Sequence, residues 1–125
     1  MKNAKLIIKG KLPGLNDLIE AERTHRQVGA RLKRSAEELI RWQIKVQLRG
    51  QFERPVRLNY MFYEPNKKRD KDNISGFARK VIQDSLVKER ILKNDGWDYI
   101  DGYTDDFAVD KENPRIEITI EEIEE

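Results

Sequence analysis

The 125-residue chain contains no cysteine and only one histidine, His25. The lack of cysteine excludes a disulfide framework, a thiolate zinc site and a cysteine nucleophile. Any metal site in this chain must therefore be built from oxygen ligands, with the His25 imidazole as the alternative.

Long apolar runs are also absent from the sequence. No segment approaches the roughly 20 apolar residues that a membrane-spanning helix needs. The start of the chain has neither a long apolar segment nor a small-residue cleavage site, so we predict a cytoplasmic protein without a membrane partner. The length and the apolar share of 38% predict a single globular domain over residues 1–125.

Charged residues, in contrast, make up 38% of the chain, and the net charge of +2 conceals an uneven distribution. Residues 1–50 carry 12 Lys and Arg against 5 Asp and Glu, and residues 51–95 carry 11 against 7. Residues 96–125 carry 2 against 11. A separation of this kind lets one face attract a polyanion. Alternatively, the acidic final third folds back and neutralises the basic part, and the sequence favours neither arrangement.

The first half of the chain predicts one strand, one loop and one helix. Residues 5–9 are short, β-branched and closed by Gly10, which is typical of a strand. Residues 11–33 include Pro13 and Gly29 and show no sustained apolar period, so we predict a long loop with a helical turn over residues 17–22. The Ser-x-x-Glu capping box at Ser35 and the apolar residues after it predict a helix to about Gly50.

The second half predicts a strand, a helix and one or two further strands. Alternation from residue 56 indicates a strand that ends at Glu64, and apolar spacing from residue 73 indicates an amphipathic helix to about residue 90. Asp72 or Asn73 is its predicted N-cap. Residues 99–108 are ambiguous, with a possible strand from Phe107, whereas residues 115–120 alternate clearly. The order β-α-β-α-β(β) predicts an α+β fold, a small mixed β-sheet covered by two helices.

Asp70 and Asp72 stand between this strand and this helix, directly after three cations, Lys67, Lys68 and Arg69. Residues two apart in an extended segment point to the same side. Two neighbouring carboxylates repel each other unless a positive group lies between them, and in an oxygen site Mg²⁺ or Mn²⁺ commonly plays that part. Alternatively, the two acids only cap the helix and complement its dipole, for about 0.3–1 kcal/mol each. The spacing alone favours this second interpretation.

The runs RDKDN at 69–73 and LKND at 92–95, with an amphipathic helix between them, resemble the signature of the RusA family of Holliday-junction resolvases. The runs GKLPGLN at 10–16 and RIEI at 115–118 resemble the family's first turn and last strand. The resemblance implies a Mg²⁺-dependent homodimeric endonuclease, with Mn²⁺ as a possible substitute, that cuts four-way junction DNA symmetrically in recombination and repair. It also implies that Asp70, Asp72 and Asp95 bind the metal.

One position departs from the family pattern. The family's helix often carries a catalytic lysine four residues after the second aspartate, and this chain has Gly76 there. Lys80 lies one helical turn further along the same stripe, so we expect Lys80 to substitute for the missing lysine. Arg79 or Lys80 would then stabilise negative charge on the phosphate.

The basic residues near these acids are the predicted DNA contacts. Phosphate contacts carry little sequence information and weaken steeply with salt. The residues are Arg23, Arg26, Arg31, Lys33, Arg34, Lys67, Lys68, Arg69 and Arg79. His25 is either a phosphate donor or general acid, or simply an exposed residue.

Two functions of other classes remain open from the sequence. The first is a non-catalytic nucleic-acid-binding module whose aspartates only cap a helix, and in which Asp95 is an ordinary turn residue. The second is an interaction protein whose acidic residues 98–125 bind a basic partner. Trp42 and Trp97 belong either to the core or to a dimer interface.

Overall fold

The computed structural model describes residues 3–123, which form three helices and four strands. In chain order these are β1 (Asn3–Lys9), α1 (Leu15–Thr24), α2 (Arg26–Gln47), β2 (Val56–Glu64), α3 (Lys71–Lys88), β3 (Ile100–Val109) and β4 (Arg115–Glu122). The predicted strand at 56–64 and the predicted last strand are confirmed.

The four strands form one mixed sheet in the order β1-β4-β2-β3. β4 pairs antiparallel with both β1 and β2, whereas β2 and β3 are parallel and are connected through α3. Two parallel strands need such a crossover, because a tight turn reverses the chain direction and can join only antiparallel strands. The α+β prediction with a mixed sheet is confirmed.

The core lies between one face of the sheet and the helices. Alternate residues of β2 are buried, from Val56 to Phe62, and the apolar face of α3 packs onto them. Ile40 and Ile44 of α2 join the same cluster. Among residues 3–123, no helix is long and apolar enough to cross a bilayer.

The prediction of a long loop over residues 11–33 was wrong. This segment holds the whole of α1 and the first part of α2, which starts at Arg26 rather than at Ser35. Most side chains from Ile19 to Ser35 are exposed, so the apolar period that reveals a packed helix is missing. His25 ends α1 and caps α2, since its Nδ1 accepts a hydrogen bond from the Gln27 amide at 3.0 Å.

Two further predictions need correction in the second half. The N-cap of α3 is Asp70, not Asp72 or Asn73, which lie in the first turn. β3 begins at Ile100 and runs through the Asp101-Gly102 pair that suggested a turn. The register between β2 and β3 shifts at Val56/Arg57, so this irregular edge strand lacks a clean alternation.

Candidate active site at the start of helix α3

The connection from β2 to α3 is held by a buried ion pair. Arg69 Nε and Nη2 each donate to a different carboxylate oxygen of Glu64 at 2.9 Å. Arg69 Nη1 donates to the Leu12 carbonyl at 3.0 Å. A two-pronged contact of this kind fixes both position and angle. Arg69 therefore anchors the segment that precedes α3, and most of its donor groups are committed to the fold.

Asp70 and Asp72 follow directly from this anchor. Asp70 is the N-cap residue with extended backbone, but its side chain makes no capping hydrogen bond. Both carboxylates line one cleft of about 780 Å³ together with residues of β3 at Phe107, Ala108 and Val109. Within residues 3–123, neither carboxylate takes part in a side-chain hydrogen bond or an ion pair. The positive end of the α3 dipole lies beside them and favours negative charge there.

Three lysines surround this cleft. Lys67 and Lys71 line it, and Lys68 is exposed in the turn beside it. Lys71 Nζ lies 5.6 Å from the centre of the Phe107 ring, a cation–π contact that leaves its donors free for another partner. The cleft therefore combines several exposed cations with two acids that have no ion-pair partner among the described residues.

The N-terminal loop supports the cleft from the other side. Asn73 Oδ1 accepts a hydrogen bond from the Asn16 amide at 2.8 Å and so joins the starts of α1 and α3. A Cβ at Gly14 would lie 2.4 Å from Asn73 Oδ1 and 2.9 Å from the Asn73 carbonyl oxygen. Only glycine fits such an approach, so Gly14 lets α1 and α3 begin side by side.

Lys80 and Asp95 lie together, two helical turns away from Asp72. Lys80 Nζ is 3.1 Å from Asp84 Oδ1 and 3.8 Å from Asp95 Oδ2. The hydrogen bond to Asp84 raises the pKa of the Lys80 ammonium, so Lys80 stays charged. Asp95 is not among the residues that line the cleft of Asp70 and Asp72. The structure thus brings together Lys80 with Asp95, and Asp70 with Asp72, as two separate pairs.

Arg79 occupies a half-buried site between α3 and β3. Its Nη1 lies 3.1 Å from Asp105 Oδ2, and its guanidinium stacks 4.6 Å from the centre of the Tyr103 ring. Ser75 Oγ donates to the Lys71 carbonyl at 3.1 Å, and Asp105 Oδ1 is buried without a hydrogen bond from the described residues. Burial raises the pKa of the Asp105 carboxyl, and the Arg79 charge acts against that rise.

Sequence reasoning missed Asp105. The sequence pattern that places Asp105 on the α3 side of the sheet is the alternation of Tyr103, Asp105 and Phe107. These three residues face α3 as every second residue of β3. The turn-like Asp101-Gly102 pair hid the strand that carries this alternation.

The other predicted DNA contacts lie on α1 and α2. These cations are all exposed: Arg23, Arg26, Arg31, Lys33 and Arg34. Gly29 is buried at the helix crossing, where a Cβ would lie 2.5 Å from Glu22 Cγ. Residues 23–34 contain no acid, so the end of this helical hairpin is uniformly basic.

The donor set at the α3 start fits a hard divalent ion only in part. Mg²⁺ is commonly held by one or two carboxylates while it keeps water molecules and takes up substrate phosphate oxygens. Asp70 and Asp72 supply that number of carboxylates in one cleft. However, residues 3–123 contain no group of three Asp, Glu or His side chains close enough to hold a metal among themselves. The two carboxylates therefore suit an ion that is completed by substrate, rather than a closed protein cage.

A pair of exposed carboxylates flanked by lysines can hold a divalent ion beside a phosphate group, which is the arrangement that metal-assisted phosphodiester hydrolysis needs. A family model described as Endodeoxyribonuclease RusA matches residues 19–121. The search of curated proteins gave no match. The family match covers most of the chain, so the chain belongs to the RusA endodeoxyribonuclease family. Membership implies an endonuclease of the type that resolves Holliday junctions.

Proposed function

We propose that this protein is a Mg²⁺-dependent endonuclease that resolves four-way DNA junctions by paired phosphodiester hydrolysis, as a homodimer in the cytoplasm. The observation that carries the proposal is the pair of carboxylates Asp70 and Asp72, which share one cleft beside lysines and have no side-chain partner within residues 3–123. Two acids that only served the helix would be expected to accept capping hydrogen bonds, and the Asp70 side chain makes none.

In this proposal, Asp70 and Asp72 hold the divalent ion at the positive end of α3. When bound, the ion supplies Lewis-acid stabilisation of the phosphate and helps to generate a water nucleophile. Lys67, Lys68 and Lys71 bind the phosphates on either side of the scissile linkage and orient the strand. Arg69 keeps both aspartates in place through its contacts with Glu64 and Leu12.

Lys80 serves as a cation in the proposed reaction. Because its ammonium is held charged by Asp84, Lys80 is suited to stabilise negative charge on the phosphate and unsuited to abstract a proton. Asp95 keeps the Lys80 side chain near the helix surface at 3.8 Å. A role of Asp95 as a third metal ligand would need a movement of the 89–95 segment toward Asp72 on DNA binding.

The exposed cations of the α1–α2 hairpin extend the proposed contact to the arms of the junction. Such contacts bind the backbone without reading sequence. Arg79 has a different role, since it is stacked on Tyr103 and paired with Asp105. We propose that it fixes α3 against β3.

Cleavage of a labelled four-way junction and a matched linear duplex, each with Mg²⁺ and with EDTA, tests this proposal. We expect junction cleavage with Mg²⁺ alone and little cleavage of the duplex. Asp72→Asn should cut at least about 100-fold more slowly, because metal-ion stabilisation of the transition state is worth several kcal/mol. Asp98→Asn, which changes an exposed acid of the 94–99 turn, should cut like the wild type.

Binding of the same junction by Asp72→Asn should persist, since the lysines remain. A protein that binds junctions equally with Mg²⁺ or EDTA and never cuts them would instead be the non-catalytic binding module. Equal cleavage of duplex and junction would contradict the resolvase assignment while leaving a nuclease.

A further inference from the structure

The outer face of α2 carries an apolar stripe that the protein leaves uncovered. Leu39 is 46% exposed, Trp42 is 62% exposed and Val46 is 61% exposed. Their spacing of three and four residues places them on one side of the helix. Large exposed apolar side chains in a contiguous patch are uncommon unless a partner covers them.

This stripe cannot join the core of its own chain. Ile40 and Ile44 occupy the side of α2 that faces away from Trp42, and both are buried in the core. At 100° per residue, Trp42 lies almost diametrically opposite Ile40 and Ile44. The stripe therefore points away from the protein, and any residue that covers it must come from another molecule.

The charged residues beside the stripe indicate what kind of molecule covers it. Glu38 and Lys45 lie along one edge of the stripe, with the acid toward the start of α2 and the cation toward its end, where Lys45 Nζ also lies 3.9 Å from Glu89 Oε2 of its own chain. An antiparallel copy of the same helix, centred on Trp42, would place Glu38 of one copy beside Lys45 of the other. It would also place Leu39 beside Val46 on the opposite edge.

A parallel arrangement would instead place Glu38 beside the partner's Leu39 and Lys45 beside the partner's Val46, so that charged side chains would face apolar ones. Antiparallel pairing about a two-fold axis is the self-complementary geometry of a symmetric dimer. The α2 surface is thus complementary to itself in both charge and apolarity, but only in one direction.

The sheet edges are poorer candidates for a contact between two copies. On the outer edge of β1, the Gln47 side chain bonds the Ile7 amide at 2.8 Å and the Ile7 carbonyl at 2.7 Å. These contacts occupy backbone groups that an added strand would need. β3, at the other edge of the sheet, carries the exposed acids Asp101 and Asp106, and like charges that meet across a strand pair repel.

We propose that two copies of this chain associate through the outer faces of their α2 helices, packed antiparallel with Trp42 at the two-fold axis. This inference rests on the homodimer of the proposed function and assigns its interface. Trp42 is the central anchor, Leu39 packs on the partner's Val46, and Glu38 pairs with the partner's Lys45. Aromatic residues at interface centres commonly dominate the binding energy.

Sedimentation velocity over a range of protein concentrations tests this interface. We expect a dimer for the wild type and a dimer dissociation constant at least about 100-fold weaker for Trp42→Glu, which puts a charge at the centre of the contact. Trp97→Glu is the matched control, because Trp97 is 98% exposed and lies outside α2. It should dimerise like the wild type.

A charge exchange separates a true contact from a damaged fold. Glu38→Lys and Lys45→Glu should each weaken the dimer by about 10-fold, and the combined variant should recover to near the wild-type dissociation constant. Thermal unfolding of each variant checks that the monomer still folds. A monomeric wild type, or a Trp42→Glu variant that dimerises normally, would overturn the inference.

Junction cleavage by the wild type is measured alongside dimerisation, so that a wrong interface can be told apart from a wrong proposed function. Cleavage together with a dimer that ignores Trp42→Glu means that the interface is wrong and the function stands. Loss of the dimer in Trp42→Glu without any cleavage by the wild type means that the interface is right and the function is wrong.

Discussion

Acids form ion pairs on the sheet strands β3 and β4, whereas Asp70 and Asp72 at the start of α3 form none among the described residues. At the α3 start, Asp70 and Asp72 stand beside lysines without forming an ion pair among the described residues. In the sheet, Glu117 is bound by Lys5 at 2.7 Å and by Arg115 at 2.7 Å. Asp70, Asp72 and the lysines of the cleft, which have no ion pair within residues 3–123, are therefore available to an outside partner.

The acidic final third of the chain, residues 96–125, forms ion pairs with part of the basic remainder. Among residues 3–123, three of its acids pair with cations of the basic remainder: Asp101 with Arg57, Asp105 with Arg79, and Glu117 with Lys5. The acidic part therefore folds back onto selected cations. The lysines around the cleft and the arginines of the α1–α2 hairpin are left for a polyanion.

The largest expected effect comes from the anchor beneath the free acids. Arg69→Met leaves Glu64 buried without its partner, and breaking a buried pair in this way costs about 3–5 kcal/mol. Urea denaturation should show that loss in the free energy of unfolding. Arg57→Met, which removes a cation from an exposed pair in the sheet, should cost less than about 1 kcal/mol.

A double variant checks the cause of that effect. Arg69→Met combined with Glu64→Met should recover a large part of the lost stability, because no buried charge is left unpaired. Additive losses in the double variant would mean that packing, and not the charge pair, holds the anchor.

The close contact of Gly14 with Asn73 gives the next largest effect. Gly14→Ala should cost about 1–3 kcal/mol, because the backbone carbonyl of Asn73 cannot rotate away from the new methyl group. Gly76→Ala is the matched control, since its Cβ would meet Leu15 at an ordinary 3.4 Å inside a helix. It should be neutral or should stabilise the protein by up to about 1 kcal/mol. Equal losses in both variants would contradict the tight approach of α1 to α3.

Free and paired lysines should differ in their contribution to DNA binding. Lys67→Ala and Lys68→Ala should each reduce the slope of log affinity against log salt by about 0.9, since each removes one phosphate contact. Lys5→Ala should leave the slope unchanged, because its ammonium is already bound to Glu117. Fluorescence anisotropy with a labelled junction at several salt concentrations measures these slopes. An equal change of slope for Lys5→Ala would contradict the difference between the lysines of the cleft and a lysine held in an ion pair.

The smallest effect is a difference in pH dependence within the sheet. Burial raises the pKa of Asp105, so its contribution to stability is present below the usual value of 3.8 and is lost as pH rises through the raised value. The hydrogen bonds from Lys5 and Arg115 lower the pKa of Glu117, so its contribution is present above 4.5 and is lost as pH falls through the lowered value.

Urea denaturation of Asp105→Asn and Glu117→Gln across the acidic range measures both signs. In the wild type, Asp105 lowers the free energy of unfolding as pH rises, and Asp105→Asn should abolish that decrease. Glu117→Gln should abolish the decrease in the free energy of unfolding that Glu117 causes as pH falls. Parallel pH profiles for the two variants would mean that the Asp105 and Glu117 environments are alike.

Elements with one buried face were predictable from the sequence. β2, β4 and the body of α3 carry alternating or helical apolar patterns because one side of each packs on the core. α1 and the first part of α2 left no such pattern, since few of their side chains are buried. The position of Asp70 and Asp72 followed from the end of β2.

The rest of the site depends on long-range packing that sequence does not record. The contact of Asn73 with Gly14 and Asn16 joins residues more than 50 positions apart. The location of Asp95 beside Lys80 depends on the length of α3 and on the path of the turn after it. The sequence predicted a possible interface role for Trp42, but only the structure places it on the outer face of α2.

Divalent-ion binding tests most directly whether the free acids at the α3 start form a metal site. Titration with Mn²⁺, followed by the EPR signal of the unbound ion, compares the wild type with Asp70→Asn/Asp72→Asn and with Asp98→Asn. We expect the wild type and Asp98→Asn to bind Mn²⁺ alike and the double variant to bind at least about 10-fold more weakly. Equal Mn²⁺ affinity in all three proteins would contradict the account.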